Sequence, residues 1–183
     1  MVASITPPDI VDLVSLEEFL SHPRDRTEWV DGKVIEKTGL TIKHGLAQGK
    51  LIHHWGNFIT SSEKGGELCV GTLCRSTKQA RRPDLAYISP QLLEQFGNNF
   101  TVLPQSFPLI AEVASPDDSA EDLFAKSKEY LESGCQEVWL LFPETRIILI
   151  NTQNRWFLFN SDETVRTQNV LTGFSVAVSE LLI

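Results

Sequence analysis

Apolar and polar positions change period several times along the chain. Between residues 44 and 63, Leu51, Ile52, Trp55, Phe58 and Ile59 recur at helical spacing, and Gly65-Gly66 follow as a stop. Ser119, with Asp122 three residues later, caps a second predicted helix that runs through Lys126 and Tyr130 to Gly134. Ser15 and Glu18 form a capping-box pattern for a short helix over Leu16–Ser21 that stops before Pro23, and 92–96 suits another short helix. Thr27–Val30 and Lys33–Glu36 flank Asp31-Gly32, a dipeptide suited to a type I′ hairpin turn. Strands are predicted over 67–73, 83–88, the apolar run 109–114, 138–142, 147–150 and Trp156–Phe159. The sum is an α/β (α+β) chain with a mixed sheet and two main helices, and residues 1–183 are the size of one domain.

Composition narrows the class without naming it. Hydrophobic residues make up 42% and charged residues 22%, as in soluble globular proteins, and no apolar stretch is long enough to span a membrane. The first residues lack the basic start and apolar core of a secretory signal, which predicts a cytoplasmic protein with no membrane partner. Cys69, Cys74 and Cys135 are odd in number and unpatterned, consistent with reduced thiols. The formal charge of −8 opposes non-specific nucleic-acid binding. Residues 75–82, Arg-Ser-Thr-Lys-Gln-Ala-Arg-Arg, carry no acid, and such a run reads either as a solvated hairpin loop or as a guide for a phosphate backbone.

Two carboxylates stand out. Asp84 heads an apolar run, and Glu112 interrupts Leu109-Ile110-Ala111-Glu112-Val113-Ala114. A charge in a buried strand needs a cation, a hydrogen-bond donor or a metal beside it. Asp84 and Glu112 converging from neighbouring strands would offer hard oxygen ligands to Mg²⁺ or Mn²⁺, with a main-chain carbonyl such as that of Val113 completing the set. That chemistry suits phosphodiester hydrolysis, where a metal activates water and neutralises phosphate charge. A lysine on the following helix would meet the phosphate or orient the water; Lys126 and Lys128 lie on opposite edges of its apolar face, and periodicity does not choose between them. His53-His54 with Cys69 and Cys74 fit no zinc spacing, and no Gly-rich phosphate loop or nucleophile elbow is present.

Four stretches together carry a resemblance: Arg82-Pro83-Asp84-Leu85, 108–116, 122–130 and Gly134-Cys135-Gln136-Glu137-Val138-Trp139. With Glu28-Trp29-Val30-Asp31-Gly32-Lys33-Val34 and His44 before them, they resemble the Uma-type restriction endonucleases of the PD-(D/E)XK nuclease superfamily. The resemblance runs from about Leu16 onward. It implies a restriction-endonuclease-like core, a central mixed β-sheet flanked by α-helices, with Asp84 and Glu112 as metal ligands. The superfamily's lysine two residues after the glutamate is Ala114 here; the family pattern places a lysine on the next helix, which carries over to Lys126, with Tyr130 one turn further. Glu28 either adds a carboxylate to the site or pairs across its hairpin, the latter being the simpler reading, and His44 either faces the pocket or is a surface histidine. Pro-Ser before the histidine is replaced by Gly39-Leu40-Thr41-Ile42-Lys43.

The function expected from this reading is a metal-dependent endonuclease acting on DNA. The rival is a catalytically inactive nuclease-fold protein serving as a nucleic-acid-binding or assembly module, favoured by the acidic charge and Ala114. A third reading is a structural homodimer joined through the apolar C-terminal strands.

Overall fold

The computed structural model describes residues 14–37 and 41–183. Its elements are α1 (Leu16–Ser21), β1 (Thr27–Val30), β2 (Lys33–Glu36), α2 (Ile42–Ser61), β3 (Glu67–Cys69), β4 (Leu73–Arg75), β5 (Ala80–Arg81), β6 (Leu85–Ile88), α3 (Pro90–Phe96), β7 (Val102–Leu103), β8 (Leu109–Val113), α4 (Ala120–Glu132), β9 (Glu137–Phe142), β10 (Ile147–Thr152), β11 (Trp156–Phe159), β12 (Thr164–Arg166), β13 (Ser175–Ala177) and α5 (Val178–Leu181). The central sheet has six strands in the order β11-β10-β9-β8-β6-β3, and a five-stranded sheet runs β2-β1-β5-β4-β7. Only β8–β9 is parallel in the central sheet, so it is mixed.

The helices begin where their caps dictate. Thr41 accepts from the His44 amide at 3.1 Å and Ser119 from the Asp122 amide at 3.2 Å, each satisfying a donor that has no partner within the helix. Asp31 and Gly32 both take positive φ, 49° and 85°, as the tight β1–β2 turn requires. Gly66, with φ 84°, turns the chain out of α2 into β3; a Cβ there would meet the Ile88 carbonyl oxygen at 2.5 Å, so only glycine fits.

The central sheet is covered on both faces. Along β8, Leu109, Ala111 and Val113 pack toward α2, with Leu51, Trp55 and Trp139, while Ile110 packs toward α4, with Leu123, Tyr130 and Leu131. Alternation therefore sends Glu112 to the α4 side. Trp55 meets Trp139 edge-on at 5.5 Å in the α2-side core.

The structure corrects two expectations. The predicted strand 67–73 is two strands in different sheets, β3 and β4, broken at Gly71, which has φ 58°. The predicted strand 83–88 begins at Leu85, and Ala80–Arg81 ahead of it is β5 of the other sheet. The C-terminal part, β12–β13 and α5, completes the α2-side core with Val165, Phe174, Val176 and Val178.

Glu137, fully buried at the start of β9, anchors that part. One oxygen accepts from the Trp139 indole at 2.7 Å, and the other from the amides of Gln168 and Asn169, each at 2.8 Å, and of Val170 at 3.3 Å. Removing it orphans several buried donors. Glu137→Ala is expected to lower unfolding free energy by about 3–5 kcal/mol in urea titrations. A loss below about 1 kcal/mol would mean that water replaces the carboxylate there.

Candidate active site

The two carboxylates meet because of strand register. β6 and β8 are antiparallel, with Leu85 opposite Ala111 and Ala86 opposite Ile110. One step further along the same register sets Asp84 opposite Glu112, on adjacent strands at one end of the sheet. Both are buried, at 7% and 2% exposure.

Three elements fix Asp84. Its Oδ2 accepts from the Val113 amide at 2.9 Å and lies 3.1 Å from His44 Nε2, while Oδ1 accepts from Lys37 Nζ at 2.7 Å. His44, in the first turn of α2, is buried and faces the site, and its Nδ1 has no hydrogen-bond partner among the described residues. Burial raises the Asp84 pKa, but the bond from His44 and the charges of Lys37 and Lys126 overcome it and hold the carboxyl well below the usual range. An ionised carboxylate only accepts, so His44 donates from Nε2.

Glu112 is held from α4. Tyr130 donates to its Oε1 at 2.6 Å, and Lys126 Nζ stands 3.1 Å from the same oxygen. Oε2 faces Lys37 Nζ at 3.7 Å. Burial raises the Glu112 pKa more than Lys126 and Lys37 lower it, with Asp84 and Glu28 adding to the rise. Tyr130 is one helical turn beyond Lys126, so both reach Glu112 from one side of α4. Lys128 lies elsewhere, 76% exposed and 3.8 Å from Glu132, and α4 therefore presents Lys126 to the carboxylates.

Glu28 also enters this cluster. Across its hairpin it faces Ile35, which excludes the simple cross-strand pairing. Its Oε1 lies 3.0 Å from Lys126 Nζ and accepts from the Arg82 amide at 2.9 Å, and Oε2 is 3.3 Å from Arg81 Nη1. Burial raises its pKa, and Lys126, Lys37, the Arg82 amide and Arg81 bring it below the ordinary value. Arg81 continues outward to Glu129 through two bonds of 2.9 Å. The result is a continuous row of alternating charge: Asp84, Lys37, Glu112, Lys126, Glu28, Arg81 and Glu129. Burial disfavours the Lys126 ammonium, yet Glu112, Glu28 and Asp84 outweigh it and hold the pKa above the lysine range.

Sequence reasoning missed Lys37, Arg81 and Glu129 as parts of this row. Lys37 follows an exposed hairpin strand, where a lysine ordinarily faces solvent, and only tertiary folding brings it onto Asp84. The basic run 75–82 is used internally: Arg75 pairs with Glu17, and the Arg82 guanidinium donates to the carbonyls of Thr27 and Gly71. Cys74 is buried in the α4-side core, where burial pushes its thiol up. Among the described residues no three His, Cys, Asp or Glu side chains converge as metal ligands; ammonium groups stand between the carboxylates instead. No helix among the described residues is long and apolar enough to cross a membrane.

A mixed sheet between two helices, with carboxylates meeting at the ends of adjacent central strands and a lysine reaching them from the next helix, defines the restriction-endonuclease-like class of fold. The chain belongs to the Uma2 family, described as "Putative restriction endonuclease", whose sequence profile matches residues 12–179. It is similar to a solved structure described as "a putative nuclease belonging to DUF820" from Anabaena variabilis ATCC 29413, with a TM-score of 0.81 at 20% identity, over 92% of this chain and 97% of that one. No curated protein matches the sequence.

The charge row has a definite pH signature. The Asp84 pKa is depressed on folding, so its stabilisation is complete above the unfolded value of about 3.9 and is lost as pH falls through the folded value. The Lys126 pKa is raised, so its stabilisation is complete below about 10.4 and is lost as pH rises through the folded value. Asp84→Asn is expected to flatten the acid limb of a stability profile measured by urea unfolding between about pH 2 and 6. An acid limb as steep as that of the wild type would show that Asp84 does not carry it.

Proposed function

We propose that this site hydrolyses phosphodiester bonds of DNA with a divalent metal, Mg²⁺ or Mn²⁺, held by Asp84, Glu112 and the main-chain carbonyl of Val113. The observation that carries the proposal is the convergence of two carboxylate oxygens on one positive charge. Asp84 Oδ2 is engaged by His44 and the Val113 amide, and Glu112 Oε1 by Tyr130 and Lys126. That leaves Asp84 Oδ1 and Glu112 Oε2, which both face the Lys37 ammonium. The Arg82 carbonyl also accepts from Lys37, at 2.8 Å. An all-oxygen surrounding for a cation fits a hard metal. The amide and carbonyl of one strand residue leave the same edge, so the Val113 amide bonded to Asp84 puts its carbonyl on that edge too.

When bound, the ion supplies an acidified water and charge neutralisation at phosphate. The chain's own residues do the rest. Lys126, kept charged by Glu112 and Glu28, offers a fixed positive charge where phosphate oxygens gain negative charge. This α4 lysine takes the part that Ala114 lacks. Tyr130 and His44 fix which carboxylate oxygens remain free, and Glu28 positions Lys126. The family description favours DNA as the substrate.

Asp84→Ala and Glu112→Ala are each expected to abolish Mg²⁺- or Mn²⁺-dependent nicking of plasmid DNA and to weaken Mn²⁺ binding in calorimetry. Lys126→Ala should lower the nicking rate by about 10²-fold or more with metal binding retained. Equal nicking by wild type and both carboxylate variants would sink the enzyme reading and leave the inactive nucleic-acid-binding or assembly module.

We further propose that the protein pairs as a homodimer through β11. This strand is an edge of the central sheet, and Trp156 and Leu158 are 45% and 53% exposed beside Phe124. Four consecutive large apolar residues on an edge that no strand pairs among the described residues form a template for another strand, and the same strand of a second copy gives a self-complementary contact. Sedimentation velocity should give a dimer for the wild type and a monomer for the double variant Trp156→Glu, Leu158→Lys; a monomeric wild type at micromolar concentration rejects the pairing.

A further inference from the structure

Lys37 stands where the preceding reading puts a metal, and the geometry points to a displaceable role: we infer that its ammonium closes the site in the metal-free protein and withdraws when a divalent ion enters. The inference rests on the proposed metal reading. Lys37 Nζ touches Asp84 Oδ1 at 2.7 Å and the Arg82 carbonyl at 2.8 Å, and it is 3.7 Å from Glu112 Oε2. A divalent ion bound by both carboxylates needs the same two oxygens, and two cations cannot share that space. One must leave.

The contrast with Lys126 shows which lysine moves. The Lys126 side chain is 12% exposed and lies 3.0 and 3.1 Å from two carboxylates, on a residue set within the regular turns of α4. The Lys37 side chain is 25% exposed and has one short carboxylate contact. Its backbone is fixed separately: the Lys37 amide donates to the Arg26 carbonyl at 2.8 Å. The long side chain can therefore swing outward about its own torsions while the end of the hairpin stays in place. Withdrawal exposes the two oxygens together and leaves a mobile positive charge at the rim of the site, beside any bound phosphate.

The docked lysine also answers a physical need. Without Lys37, Asp84 Oδ1 and Glu112 Oε2 would face each other with no cation between them, since Lys126 engages the other Glu112 oxygen, and that is destabilising. Lys37 holds them together until an ion replaces it. Apparent metal affinity is then reduced by the fraction of molecules in which Lys37 is withdrawn.

The test is calorimetric titration of the full chain with Mn²⁺. Lys37→Gln and Lys37→Met are expected to bind Mn²⁺ roughly tenfold more tightly than wild type, as for a site closed in about nine molecules of ten. Their metal-free melting temperatures should fall, and the rise on adding Mn²⁺ should grow. Lys37→Arg, which keeps the charge, should stay near wild type. On the wild type itself, Mn²⁺ should speed acetylation of Lys37 by acetic anhydride, read by mass spectrometry.

Neutral variants that bind Mn²⁺ no more tightly than a metal-binding wild type overturn the inference while sparing the metal site. So does Lys37→Arg binding as tightly as Lys37→Gln, or Lys37 labelling that Mn²⁺ leaves unchanged. Wild type and variants that all show neither binding heat nor a melting shift remove the metal reading, and this inference with it.

Discussion

The attraction between Glu112 and Lys126 is the interaction on which the rest of the site depends. Glu112 lies one residue from the end of an apolar strand under α4, where an unpaired carboxylate would cost several kcal/mol. Lys126 cancels that penalty only by being buried itself, and it in turn needs Glu28. Each addition requires the next, and the row continues through Arg81 until Glu129 reaches more open surroundings. Electrostatics of this kind ties the end of the β1–β2 hairpin to the central strands and to α4, which already share the apolar core around Ile110, Leu123 and Leu131.

The row also bears on how the proposed phosphodiesterase activity sits with a formal charge of −8. Net charge governs long-range approach, whereas the field inside a cleft is set by the groups lining it. Here Lys37, Lys126 and Arg81 are interleaved with Asp84, Glu112, Glu28 and Glu129, so cationic groups stand at one end of the sheet although the row as a whole carries no excess of positive charge. The basic run before Asp84 serves the same neighbourhood as internal scaffolding, with Arg81 and Arg82 bonded to protein oxygens.

Much of this architecture could be read before the fold was seen. The β1–β2 hairpin is bounded as its Asp-Gly turn implies, and α4 starts where Ser119 caps it. Asp84 and Glu112 were conspicuous because carboxylates in apolar runs conflict with burial. The break between β3 and β4 was not legible, since Gly71 lies in a stretch whose apolar residues continue on both sides and their assignment to different sheets is a tertiary outcome. The C-terminal hairpin β12–β13 escaped notice because its short strands are mostly exposed, with only Val165 and Val176 turned inward as well-buried residues. Glu28 could be read either as a site carboxylate or as a hairpin partner, and Lys37 not at all, because their approach to Lys126 and Asp84 depends on how the hairpin folds back onto the sheet.

The position of Glu112 in β8 has a consequence for how the chain finds its fold. Both faces of β6 and β8 are apolar, so hydrophobicity alone scarcely distinguishes correct threading from a misthreaded sheet shifted by one residue. Such a slip would turn the acid toward α2, away from Lys126 and Lys37, and strand a charge among Leu51 and Trp55. The charges at the sheet's end thus act as a proofreading key for the hydrophobic interior, and the residues of the candidate site also tell the polymer which alignment is its own.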